Sequence, residues 1–230
     1  MLQAKKLCKR YDDKSALKDL SLTVNPGEIF CLLGQNGAGK TTTINIFLGL
    51  IAPTSGEAFI NNVSVLDNKS VRSSIAYIPE TVQLYSNLSG LENLDFFSRL
   101  AGFKYQKEEL IQFLKQADLQ EESYPKKLST YSKGMRQKVG IAVALSKNAS
   151  YILMDEPTSG LDPKASVEFA KTCKKLAAKG VGILMATHDI FNAVNIGSKI
   201  GIMKQGTIVH TAKTENITAQ ELQDLYIKTI

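Results

Sequence analysis

Gly34-Gln35-Asn36-Gly37-Ala38-Gly39-Lys40-Thr41 is the stretch on which the reading of this chain depends. The apolar run Ile29 to Leu33 precedes it, and Thr42-Thr43-Ile44-Asn45-Ile46-Phe47-Leu48-Gly49-Leu50 follows it. Strand, glycine-rich turn and helix in that order are the context a phosphate-binding loop requires. The glycines leave the backbone free to curl, so that successive N–H groups point at one anion. A helix beginning near Gly39 turns its positive end to the same spot. Lys40 offers a mobile point charge to the β- and γ-phosphates of a nucleotide, and the Thr41 hydroxyl can ligate Mg²⁺. Gly34, Gln35, Asn36, Gly37, Ala38, Gly39, Lys40, Thr41 and the adjoining Thr42 are therefore the candidate nucleotide contacts of this stretch.

Working outward, the 230-residue length suits one large domain or two closely packed lobes. The mix of 43% hydrophobic and 22% charged residues is that of an ordinary globular chain. The longest near-apolar stretches, Ile44 to Ala52 and Val139 to Leu145, fall far short of the ~20 residues a membrane-spanning helix needs. The beginning, Met1-Leu2-Gln3-Ala4-Lys5-Lys6, lacks the apolar centre of a signal peptide, so a cytoplasmic location is expected. The net charge of +6 is moderately basic, with lysines at 171, 174, 175 and 179 on a helical period. That cluster reads as a solvated helix face, and the basic balance also suits residence near anionic lipid. Cys8, Cys31 and Cys173 have no metal-ligand spacing and read as reduced packing residues.

Alternating apolar positions predict strands around Leu2, Ala4 and Leu7 and around Leu20, Leu22 and Val24, with Tyr11-Asp12-Asp13 in the loop between. Further strands are expected at Glu57 to Asn61 and Ser74 to Ile78. From Thr81 the period becomes helical. Ser89-Gly90-Leu91-Glu92 is a capping box, and helices follow to Leu100, over Gln106 to Ala117 and over Ser132 to Leu145. Near-continuous apolar runs at Tyr151 to Asp155 and Val181 to Ala186 suit parallel strands covered on both faces. Pro163 to Lys179 is the helix that connects them; a hairpin at Lys199 to Thr211 and a terminal helix from Thr218 complete the chain. The expected fold is α/β: a P-loop NTPase core with a parallel sheet, an N-terminal antiparallel β subdomain and an inserted α-helical subdomain. Residues 1–230 form one domain, with 1–80 and 146–230 as the core and 81–145 as the helical lobe.

Asp155 and Glu156 carry the second chemical signal. A carboxylate at the end of an apolar strand stands beside the phosphate loop and can hold Mg²⁺, and Glu156 is then placed to orient an attacking water or take its proton. Two adjacent carboxylates repel each other unless a cation lies between them. Outside this context the pair would be an ordinary acidic turn.

Taken together, these elements resemble the nucleotide-binding subunits of ATP-binding cassette (ABC) transporters. The resemblance runs from Leu2 to about Thr211. It rests on residues 34–41, Tyr77-Ile78-Pro79-Glu80, Tyr131-Ser132-Lys133-Gly134-Met135, Asp155-Glu156, Ser159-Gly160-Leu161-Asp162 and Thr187-His188-Asp189, in the family's order. It implies ATP and Mg²⁺ as cofactors, with Thr41, Glu80 and Asp155 at the metal and Glu156, His188 and Lys40 catalytic. It further implies that Tyr11 stacks on adenine. Ser132 and Gly134, at a helix start able to bind an anion, would reach the γ-phosphate held by an opposite subunit, and Asp162 would cross the same interface. The expected partners are a homodimeric or heterodimeric mate and a separate integral membrane permease docked near Leu84, Tyr85 and Leu88. The chain would thus lie peripherally on the cytoplasmic face of the cell membrane, with no nucleic acid bound.

Two positions depart from the family's pattern. Glu80 stands where glutamine is usual, and Lys133 where the common LSGGQ form has glycine. A carboxylate ~4 Å from phosphate is repelled by about 1 kcal/mol in water and about 4 kcal/mol at an effective dielectric near 20, so Glu80 is expected to engage only with metal present. The expected function is ATP hydrolysis driving a permease, in the direction of export. The alternative is a soluble cassette ATPase acting as a scaffold or on nucleic acid; no basic stripe with interleaved aromatics supports it. A simple P-loop kinase would not need residues 131–135.

Overall fold

The computed structural model describes residues 1–66, 71 and 73–230. Among these residues two sheets form. The first is antiparallel, in the order β2-β1-β4-β5, from β1 (Leu2–Tyr11), β2 (Lys14–Val24), β4 (Ser55–Ile60) and β5 (Val63–Ser64). The second has the order β10-β9-β3-β8-β7-β6. It is built from β3 (Ile29–Leu33), β6 (Ile75–Ile78), β7 (Tyr151–Asp155), β8 (Gly182–Thr187), β9 (Lys199–Lys204) and β10 (Thr207–Lys213). All its pairings are parallel except the β9–β10 hairpin. The mixed α/β architecture expected from the sequence is the one observed.

Helices α1 (Lys40–Phe47), α5 (Pro163–Ala178), α6 (Ile190–Ile196) and α7 (Ala219–Thr229) surround the sheets. Residues 81–145 carry α2 (Gly90–Leu100), α3 (Lys107–Gln116) and all but the last residue of α4 (Lys133–Ser146). The Ser89 box is complete: Glu92 N–H donates to Ser89 Oγ at 3.2 Å, and Ser89 N–H donates to Glu92 Oε2 at 2.7 Å. Asp162 caps α5, and Pro163 occupies its first turn.

Strand β3 explains why both faces of the parallel sheet are covered. Ile29, Cys31 and Leu33 join a core shared with the helical lobe, while Phe30 and Leu32 join a second core against the antiparallel sheet and α1. Each such fully buried side chain contributes roughly 1.5–3 kcal/mol relative to exposure. Cys31 and Cys173 are buried and unbonded, and burial pushes the Cys31 thiol up to about 12, so both act as inert packing groups. The lysine face of α5 is exposed as expected, but Lys175 also bonds Asp118 at 2.7 Å and Lys179 bonds Gln116 at 3.0 Å. These contacts tie α5 to the end of the helical lobe.

Register then decides where chemistry collects. Ala186 of β8 lies beside Leu32 of β3 on one side and Asp155 of β7 on the other. Gly34, Asp155, His188 and Glu80 therefore all sit at or just beyond the carboxyl ends of neighbouring parallel strands, where open α/β sheets bind ligands.

Candidate functional site

The residues from Gln35 to Thr42 line a cleft of about 520 Å³, save for Ala38, and Tyr11, Glu80, Asp155 and Glu156 face them. Gly39 caps α1 with φ +111°, and among the described residues no side-chain cap bonds that helix start. The first-turn N–H groups therefore remain turned toward the cleft, as an anion requires. A Cβ on Gly39 would lie 2.6 Å from the Ala16 carbonyl oxygen and 2.6 Å from Met203 Cε, so no other residue fits. Gly34 and Ala38 stand behind the cleft rather than in it. A Cβ on Gly34 would meet the Met203 carbonyl at 2.6 Å, and the Ala38 N–H is already donated to Gln35 at 3.1 Å. These two residues shape the loop.

Lys40 is buried, and its ammonium donates to the Gly34 and Gln35 carbonyls. The same ammonium lies 3.5 Å from Glu156 Oε1. That oxygen is buried and accepts no hydrogen bond among the described residues, while Glu156 Oε2 lies 2.9 Å from His188 Nδ1. The Glu156 backbone sits at φ +45°, a strained conformation for a non-glycine residue and one that clusters at functional sites. Across the cleft, Thr41 Oγ1 donates to Asp155 Oδ2 at 2.8 Å. Burial pushes the Asp155 carboxyl above its ordinary value; the Thr41 bond pulls it back, and the charges of Glu156 and Glu80 push it up further. Excess negative charge beside a hydroxyl and a P-loop suits a divalent cation. Among the described residues no His, Cys, Asp and Glu group could hold a metal by itself.

Tyr11 ends β1 instead of lying in the following loop; its ring is exposed at the cleft, with Lys9 Nζ 4.9 Å from the ring centre. Glu80 lines the cleft too, but its carboxylate accepts from Ser159 Oγ at 2.8 Å and faces Lys133 at 4.0 Å. Lys14, Tyr77 and Thr81 also line the cleft, and none of them was singled out for a role from the sequence. The sequence signal for Tyr77 is its place near the end of the apolar run Ser74 to Ile78.

Ser132, Gly134 and Asp162 are not brought to that cleft. They surround a separate depression of about 200 Å³ that Lys138, Lys164 and Glu168 also line, with Lys138 paired to Glu168 at 2.7 Å. Ser132 Oγ accepts the Met135 N–H at 3.3 Å, and Asp162 Oδ1 accepts the Ala165 N–H at 2.9 Å. A Cβ on Gly134 would press on Ala165 Cβ at 3.3 Å, so α4 and α5 start in close contact.

The family model described as ABC transporter matches residues 17–159, well over half of the chain. The chain belongs to the ABC transporter family. It is one of that family's ATPase cassettes, which bind ATP and ADP. Its relatives include the ABC transporter ATP-binding protein YxlF of Bacillus subtilis, 34% identical over 98% of this cassette and 75% of YxlF. The linearmycin resistance ATP-binding protein LnrL, also of Bacillus subtilis, is 32% identical over 91% of this cassette and 68% of LnrL. Among solved structures, the dimeric ATP-binding cassette MJ0796 bound to ADP and Pi superposes with a TM-score of 0.80. That structure is 31% identical and covers 93% of this cassette and 99% of its own chain. Among the described residues of the cassette, no helix is long and apolar enough to cross a membrane.

Proposed function

We propose that this cassette hydrolyses ATP with Mg²⁺ at sites completed by a second copy or a related subunit, and so drives a separate membrane permease in the direction of export. The observation that carries the reading is the separation of Ser132 and Gly134 from the P-loop cleft of their own chain. An anion-binding helix start placed away from the phosphates it would serve needs another chain to bring them. The dimeric form of MJ0796 supports this, and the resistance named for LnrL supports export.

In this reading the P-loop backbone and Lys40 hold the phosphates, and Tyr11 packs on the base. Thr41 and Asp155, with Glu80, would hold Mg²⁺, which would neutralise charge on the phosphate oxygens. Glu156 takes the proton of the attacking water. Its orientation is set by Lys40 on one oxygen and His188 on the other. Residues 1–80 and 146–230 act as one body and 81–145 as a lobe that moves against it. Tyr85, exposed and packed on Phe96 at 4.9 Å, offers the permease an apolar anchor beside Leu84 and Leu88. That docking would hold the cassette on the cytoplasmic face of the membrane.

The test uses Glu156→Gln, which keeps the shape and removes the base. In excess ATP and Mg²⁺ the variant should sediment as a dimer, and without nucleotide as a monomer. A variant that stays monomeric, with no permease or related subunit able to pair with it, overturns the reading.

A further inference from the structure

The two positions where this sequence leaves its family's usual pattern meet in the fold. Glu80 follows β6 at the rim of the nucleotide cleft, and Lys133 opens α4 in the helical lobe. Lys133 Nζ stands 4.0 Å from Glu80 Oε1, and Ser159 Oγ donates to that same oxygen at 2.8 Å. One turn along α4, the fully buried Gln137 donates Nε2 to the backbone carbonyls of Pro79 at 3.3 Å and Glu80 at 3.1 Å. Residues four apart share one face of a helix. The face that Gln137 fixes to the 79–80 backbone is thus the face that presents Lys133 to the Glu80 carboxylate.

We propose that Lys133 is a positioning residue for Glu80. With Ser159 it holds the additional carboxylate away from phosphate that lacks metal, and releases it when Mg²⁺ arrives with the nucleotide. This inference rests on the nucleotide reading above. The cleft already contains Asp155 and Glu156, with the buried Lys40 ammonium between phosphate loop and carboxylate. A third, unpaired carboxylate would oppose a bare triphosphate. Both side chains of the pair are partly exposed, 31% for Lys133 and 56% for Glu80, so screening keeps their attraction weak enough to exchange.

The test measures ATP affinity calorimetrically, with EDTA and with Mg²⁺, for wild type, Lys133→Gly, Glu80→Gln and the double variant. Lys133→Gly should weaken metal-free ATP binding about five-fold, the size of one like-charge repulsion at ~4 Å in water. With Mg²⁺ its affinity should stay within about two-fold of wild type, because the cation then takes the carboxylate. The double variant should recover the metal-free affinity of wild type. Equal losses with and without metal, or a loss that Glu80→Gln does not correct, would overturn the proposal. If wild type fails to bind ATP with Mg²⁺ at all, the nucleotide reading itself falls.

Discussion

Two helix starts in this molecule are finished in opposite ways. Helix α1 begins at Gly39 with no side-chain cap among the described residues, a buried ammonium beside it and its Thr41 bonded to Asp155. Helix α4 begins at Ser132, whose hydroxyl already serves its own third residue, and it lies against α5. The first is an assembled cleft with unbalanced charge. The second is a satisfied surface that gains a role only when something is presented to it. Under the proposed function, a single chain carries one complete grip on phosphate and one half-grip.

Breaking the grip should have the largest effect. Lys40→Ala removes the ammonium bonded to the loop carbonyls and takes the counter-charge from Glu156 Oε1. Turnover should fall about 10²–10³-fold, with weaker nucleotide binding, as steady-state ATPase assays and titration would show. Ser132→Ala comes next. It should lower turnover about ten-fold or more, the value of one hydrogen bond to a charged group. MgATP affinity of the isolated chain should change no more than about two-fold, because Ser132 lies outside the cleft of its own chain. Equal losses of affinity and turnover would abolish the contrast between the two regions. Tyr11→Ala should be smaller again. Stacking on an exposed ring contributes at the low end of about 1–3 kcal/mol, so ATP should bind roughly five-fold more weakly, with turnover at saturation unchanged.

The cleft was legible in the sequence because its parts are local. A strand followed by glycines and Lys40-Thr41, and an apolar run ending in Asp155, each announce their geometry over a few residues. Ser132 as a helix cap was equally local. What was missed depends on distance or brevity. The seven residues of α6 give too little period to read, although Asp189 as its cap and Gly197 beyond its end were available signals. Strand β5 is only Val63–Ser64. The inward packing of Gly34 and Ala38 depends on Met203 and Gly206, far along the chain. Glu80, Lys133 and Ser159 meet only after the lobe has docked, and no spacing could declare it. The positive φ of Glu156 arises where β7 ends and its N–H turns to the Ala186 carbonyl at 2.9 Å.

The smallest effect tests whether the cleft's charge is truly unbalanced before ligand arrives. Asp155 is half-buried near the charges of Glu156 and Glu80, and desolvation holds its carboxyl above the ordinary 3.8 despite the Thr41 bond and the Lys40 charge. The folded chain therefore holds that proton more tightly than the unfolded chain does. The contribution to stability is full below the ordinary value and is lost as pH rises through the raised one. At pH 7 the carboxylate opposes the nucleotide-free fold, whereas Asn would keep an acceptor for Thr41 without the charge. Asp155→Asn should then melt higher than wild type at neutral pH, by up to ~4 °C in a chain of this size, and the gap should close toward pH 4. Adding ATP and Mg²⁺ should reverse the order, since only wild type gains the full binding free energy, about 2.7 kcal/mol at a hundred times the dissociation constant. Melting curves across pH with and without nucleotide decide it. An Asp155→Asn chain that melts lower than wild type at pH 7 without ligand would mean that the Lys40 charge and the stronger Thr41 bond to an ionised carboxylate outweigh burial, and that the cleft is as satisfied as the α4 tip.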